Sequence, residues 1–163
     1  MSELDWQYLA DPVFQKKFTN SIKASDVKPE EYKVIYFAGG HGTVYDFYES
    51  GDIHALAAKI YENGGIVSAV CHGPVALINI KLSNGEYLIK DKKLTAFSNE
   101  EEDIVELSKV VPYSLEDELV KRGCKYERAG NWEDRAVADG RLITGQNPGS
   151  CRSAAKLVVA YTW

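Results

Sequence analysis

The chain is poor in the residues that would mark several whole classes of protein. Cysteine occurs three times in 163 residues, at Cys71, Cys124 and Cys151, with no C-x-x-C spacing. So sparse and odd a set excludes a disulfide framework and fits a reducing compartment. Basic residues are outnumbered, 19 Lys and Arg against 24 Asp and Glu, and no window holds a basic run. The formal charge of −5 has the wrong sign for a nucleic-acid or anionic-membrane binder. No apolar stretch approaches the 18 residues of a membrane-spanning helix. The opening MSELDWQYLA lacks the basic and apolar regions of a secretory signal, which predicts a cytoplasmic protein. Zinc is disfavoured because the only close Cys and His, Cys71 and His72, are adjacent rather than two to four residues apart. Repeats, low-complexity tracts and linkers are also lacking, which leaves one domain over 1–163.

What is present is a composition able to build a core, 45% hydrophobic and 26% charged. Asp11-Pro12 is an N-cap and first-turn pair, followed by Val13, Phe14 and Phe18 on one helical face. Lys33 to Ala38 is a strand that runs into Gly39-Gly40-His41-Gly42. Ile53, Leu56, Ala57, Ile60 and Tyr61 recur at helical spacing, Gly64-Gly65 stops them, and Ile66 to Val70 is a second strand. Strand, helix, strand demands a right-handed crossover, so the fold class is α/β with a parallel core sheet. A helix is expected to start at Pro74, with Cys71-His72-Gly73 in the turn before it. Further along, Asn84-Gly85 is a turn, Leu94 to Phe97 a short strand, and Ser98-x-x-Glu101 a capping box. Ser114 to Arg122 is a helix closed by Gly123. Asp139-Gly140 is the hairpin signal between Arg135–Ala138 and Arg141–Thr144, and a last helix starts at Asn147-Pro148.

Ligands of open parallel sheets bind beyond the carboxyl ends of the strands, which puts the Gly39–Gly42 and Cys71–Pro74 loops across one crevice. A cysteine at a strand-to-helix turn, near the positive end of a helix, is expected as thiolate. The facing glycine amides are natural oxyanion donors. Against this, a cysteine ending an apolar strand is often inert core. Without a following GxxG or GK[ST], a phosphate loop is not expected. His54 falls in a helical pattern and is expected at the surface, and Cys124 and Cys151 are expected as packing residues. The acids Glu100, Glu101, Glu102 and Asp103 are most simply a solvated helix start, although one of them could orient an imidazole. Spacing does not choose among them. Trp132-Glu133-Asp134 and Gly145–Ser150 are loops that either line a pocket or turn the chain.

AGGHGT (38–43), GGIVSAVCHGPVAL (64–77), KKLTAFSNEEE (92–102) and DGRLITGQNP (139–148), in that order, resemble the DJ-1/PfpI superfamily and its Hsp31-like branch over about four fifths of the chain. The resemblance implies a flavodoxin-like three-layer sandwich, a homodimer, no cofactor or metal, and a pocket around the elbow cysteine. It also implies a glutathione-independent glyoxalase that converts the aldehyde methylglyoxal to lactate, alongside holdase chaperone activity. Carried over, Cys71 is the nucleophile, His72 the triad histidine and Glu102 the acid, with Glu100 and Glu101 as fallback. Gly40, His41 and Gly73 belong to the oxyanion and substrate-binding set, the amides of Gly40 and His72 forming the hole. The chain departs from the family at its front. The strand-helix-strand that carries a glutamate contacting the cysteine is missing, and Glu30 and Glu31 fall at the wrong end of the sheet. The fold is therefore expected to be N-terminally shortened, with an exposed apolar strand edge and weak turnover if the chain is complete. A non-enzymatic holdase or redox-sensing dimer is the alternative. A glutamine amidotransferase is disfavoured, because no histidine follows residue 72.

Overall fold

The computed structural model describes residues 3–162. Two short helices, α1 (Glu3–Ala10) and α2 (Pro12–Thr19), come first. Asp11 caps α2 as its carboxylate accepts from the amides of Val13 and Phe14 at 2.7 and 3.0 Å. α1 carries no such signal and was not expected. Neither helix buries a residue, and Leu4, Trp6, Tyr8, Val13 and Phe18 stand exposed.

Next come β1 (Val34–Phe37), the single turn α3 (Thr43–Asp46), α4 (Gly51–Glu62) and β2 (Ile66–Val70). β1 and β2 run parallel, with Val34 opposite Ile66 and Phe37 opposite Ala69. The remainder comprises β3 (Lys93–Leu94), α5 (Asn99–Ile104), α6 (Leu115–Lys121), β4 (Lys125–Tyr126), β5 (Ala136–Asp139), β6 (Leu142–Gly145) and α7 (Cys151–Thr162). The main sheet has the order β1-β2-β6-β5. β6 is parallel to β2 and β5 antiparallel to β6, and β3 and β4 make a separate parallel pair. Successive side chains of a strand point to opposite faces, and all five residues of β2 are buried, so the sheet is covered on both sides. α4 packs on β1 and β2; α7 packs on β2, β6 and β5. β1 is an edge strand of this sheet, with Tyr36 exposed on it.

Three elements depart from the sequence expectation. The helix at Pro74 is a 3₁₀ helix over Gly73–Asn79, buried from Gly73 to Ile78. An apolar run with no polar face has no 3.6-residue stripe to set its winding, so packing decides it. The strand expected to reach Phe97 ends at Leu94. The β5–β6 hairpin loop is Gly140-Arg141, because Asp139 pairs with Leu142 and only Gly140 has positive φ, at 59°. Asp139 stays in the strand because its carboxylate accepts from the Lys93 amide and from Lys92 Nζ, both at 2.9 Å. No helix among the described residues is long and apolar enough to cross a membrane.

Candidate active site

Cys71 directly follows β2 with a φ of 62°, the left-handed region that costs a non-glycine residue about 1–2 kcal/mol. Its amide donates to Gly145 O at 2.9 Å, and its carbonyl accepts from the Phe97 amide at 3.0 Å. The strained bend is thus clamped between β6 and the segment after β3. Glycine is required on both sides of it. A Cβ on Gly39 would meet Cys71 Cβ and Val70 O at 2.7 Å, and one on Gly73 would sit 2.2 Å from Phe37 O. Gly73 therefore wedges the elbow against the end of β1 and does not stand on the pocket wall.

His72 is fully buried. Its Nε2 lies 2.6 Å from Glu102 Oε2, and its Nδ1 lies 3.4 Å from Cys71 Sγ. A carboxylate can only accept, so the ring proton sits on Nε2 and the Nδ1 lone pair faces the thiol. Burial pushes the His72 pKa down, against the opposing pull of Glu102, and the ring is neutral near pH 7. Burial likewise pushes the Cys71 thiol up to about 11, although the amides of His72 and Gly40 both point at the sulfur and favour its anion. Burial thus works against the expected resting thiolate. Desolvation outweighs the His72 amide at the start of a short 3₁₀ helix and the Gly40 amide from the loop after β1, which favours a thiol facing a neutral imidazole at rest.

Glu102 carries a second histidine. His41, from the loop after β1, donates Nε2 to Glu102 Oε1 at 2.9 Å, and its ring centroid lies 4.1 Å from that of His72. One carboxylate bridges two imidazoles, one buried and one on the pocket wall. The nitrogen and oxygen atoms of His41, His72 and Glu102 lie within 4.8 Å of one another, a set able to hold a divalent cation, which the spacing of Cys71 and His72 had argued against.

The acidic cluster is not a solvated helix start throughout, because Glu101 and Glu102 are both buried. Glu101 closes the capping box with Ser98 and accepts from the Trp132 amide at 2.8 Å, Asn147 Nδ2 at 2.9 Å and Gln146 Nε2 at 3.1 Å. Burial alone would raise its pKa, but these donors hold the carboxyl below its ordinary range. Glu100 faces outward to Arg128 at 2.6 Å. Glu100 thus pairs at the exterior, Glu101 ties the loops behind the pocket together, and Glu102 holds the imidazoles.

A cavity of about 390 Å³ opens over the sulfur, lined among others by Gly40, His41, Phe97, Val105, Trp132 and Cys151. Phe97 and Val105 were missed, since nothing in their spacing separates them from core residues. Both loops left open in the sequence do reach the pocket, through Trp132 and Pro148. Two expectations are corrected. His54 is buried, with Nε2 donating to Phe47 O at 2.8 Å, because its position on α4 faces the core. Cys151 is exposed on the pocket wall, whereas Cys124 is half-buried and packs against the core.

A mostly parallel α/β sheet with a strained cysteine at the end of an inner strand defines the cysteine-elbow class of α/β proteins. The chain belongs to the DJ-1/PfpI family, whose profile matches residues 10–160. It is 37% identical over 153 residues to glyoxalase 3 of Candida albicans, covering 90% of this chain and 65% of that protein. A probable glutathione-independent glyoxalase of Schizosaccharomyces pombe is 40% identical, with 90% and 59% covered. Among solved structures, Rapid Encystment Protein 24 KDa of Francisella tularensis superposes with a TM-score of 0.95 at 43% identity, over 99% of this chain and 72% of that one. Glyoxalase III of C. albicans gives 0.92 at 34% identity, with 99% and 71% covered. The fold is the flavodoxin-like one, and the chain spans roughly three fifths to two thirds of the length of these curated relatives.

Proposed function

We propose that the chain performs cofactor-independent glyoxalase chemistry, converting methylglyoxal and water to lactate, with Cys71 as nucleophile, His72 as proton carrier and Glu102 as the acid that orients it. The observation that carries this reading is the relay itself: Sγ 3.4 Å from Nδ1, and Nε2 of the same ring 2.6 Å from Glu102. Attack on the aldehyde carbon passes the thiol proton to Nδ1, which a neutral, Glu102-anchored imidazole is built to accept. The amides of Gly40 and His72, aimed at the sulfur, are placed for the hemithioacetal oxygen. The C1 proton then moves to C2 through an enediol, leaving a lactoyl thioester on Cys71. Water releases lactate and returns the proton to sulfur. His41, in contact with both Glu102 and the cavity, belongs to the substrate-binding wall, its Nδ1 placed to accept from a hydroxyl of the enediol. Methylglyoxal loss and lactate release, measured for the chain and for Cys71→Ala, test this directly; equal rates remove Cys71 from the reaction.

The exposed apolar residues of α1 and α2 favour a holdase as second reading and a homodimer as the working state. A holdase would suppress aggregation of an unfolded client equally well in the chain and in Cys71→Ala. Sedimentation velocity reads the oligomeric state, and a monomer at all concentrations would count against the dimer.

A further inference from the structure

We infer that Cys71 and Cys151 form a dithiol site which small disulfides and hydroperoxides oxidise to an intramolecular disulfide. Cys71 leaves the end of β2, and Cys151 is the first residue of α7, six residues past the end of the adjacent parallel strand β6. Neighbouring parallel strands deliver their carboxyl-end loops to one rim, and both cysteines line the same 390 Å³ cavity there. Their exposure differs: Cys71 is 8% exposed and buried against the core, while Cys151 is open to solvent. A third group lies near both, because the Tyr36 hydroxyl of β1 is pushed up first by burial and then by the neighbouring Cys151 and Cys71 thiols. Cys124 stands apart from this cavity, packed against the core.

The chemistry follows from the difference in exposure. Cys151 meets a small disulfide first, and its sulfur displaces one thiol to leave a mixed disulfide at the pocket wall. Cys71 then loses its proton to His72 Nδ1, attacks the Cys151 sulfur and expels the second thiol. One small disulfide is reduced to two thiols as two protein thiols become one disulfide. A hydroperoxide leads to the same product. It converts one thiol to a sulfenic acid and leaves as an alcohol, and the second thiol then displaces water. The linkage occupies the elbow sulfur reversibly and holds it short of the irreversible sulfinic acid.

The test is mass mapping of the native chain after glutathione disulfide or hydrogen peroxide, alkylation and trypsin. The expected product joins peptide 60–81, which holds Cys71, to peptide 142–152, which holds Cys151, with loss of two hydrogens and full reversal by dithiothreitol. Cys151→Ser and Cys151→Ala should both lose the joined peptide, and with peroxide both should carry Cys71 onward to the sulfinic acid. Circular dichroism of each variant checks that it is folded. Joining through Cys124, joining only between two chains, or native Cys71 reaching sulfinic acid as fast as in Cys151→Ser would overturn the inference. The readout is a mass, so the absence of glyoxalase turnover leaves it intact, and a failed linkage leaves the glyoxalase reading intact.

Discussion

At Cys71, burial and proton acceptance pull in opposite directions. Burial pushes the thiol up to about 11, while the neutral His72 imidazole offers a route for the proton only as a bond to carbon forms. Alkylation by iodoacetamide should therefore keep rising from pH 7 to beyond pH 10, with no plateau near the ordinary thiol value. A plateau at pH 8–9 would mean that the sulfur is far better solvated than its surroundings imply. Glu102→Gln removes the charge and leaves one acceptor oxygen for two imidazole N–H groups, and should lower lactate formation ~10²–10⁴-fold without unfolding the chain. Glu101→Gln should do the reverse, costing about 2–3 kcal/mol in a urea titration, because several buried donors lose a charged acceptor. The sequence left Glu100, Glu101 and Glu102 open as the orienting acid because all three share one short helix. Side chains there advance by about 100° per residue, and only the Ser98 cap, by turning Glu101 back on itself, points Glu102 at the crevice.

At the level of elements, the features carried by local chemistry were legible and those set by neighbours were not. The Asp11 and Ser98 caps and the strand Ile66–Val70 stand where their residue types put them. Ser98→Ala should cost about 1 kcal/mol, seen as a lowered urea midpoint, through the loss of the cap on α5. Gly73→Ala should cost about 1–3 kcal/mol or more, since the new methyl would meet Phe37 O at 2.2 Å and must push β1 from the elbow. If Gly73→Ala is as stable as the parent, the elbow is not wedged as tightly as this close approach requires. The 3₁₀ winding after Cys71 and the one-residue shift of the β5–β6 loop lay outside sequence reach. The first is imposed by burial on all sides, and the second by the grip of Lys92 and Lys93 on Asp139.

For the molecule as a whole, the buried titratable groups set a stability window. The Cys71 pKa is about 11 in the fold against 9.0 for the free thiol, so its contribution is complete below pH 9 and lost as pH climbs towards 11, on the order of 3 kcal/mol. His72 and His54 are shifted the other way by burial, so their contributions are complete above pH 6.5 and fade as pH falls. Unfolding midpoints should therefore be highest between about pH 7 and 9 and fall on both sides; a midpoint still rising above pH 9 would contradict the buried thiol. The amino-acid sequence by itself determined the α/β class, the parallel pairing of β1 with β2, the cysteine elbow and the family, because hydrophobic period, glycine placement and motif order are local properties. Only the tertiary structure decided the protonation of Cys71, the carboxylate shared by His41 and His72, the burial of Glu101 and the opening of Cys151 into the pocket. Each of these depends on groups distant in the chain that desolvate or bond one another, and no local pattern encodes how much water is left between them.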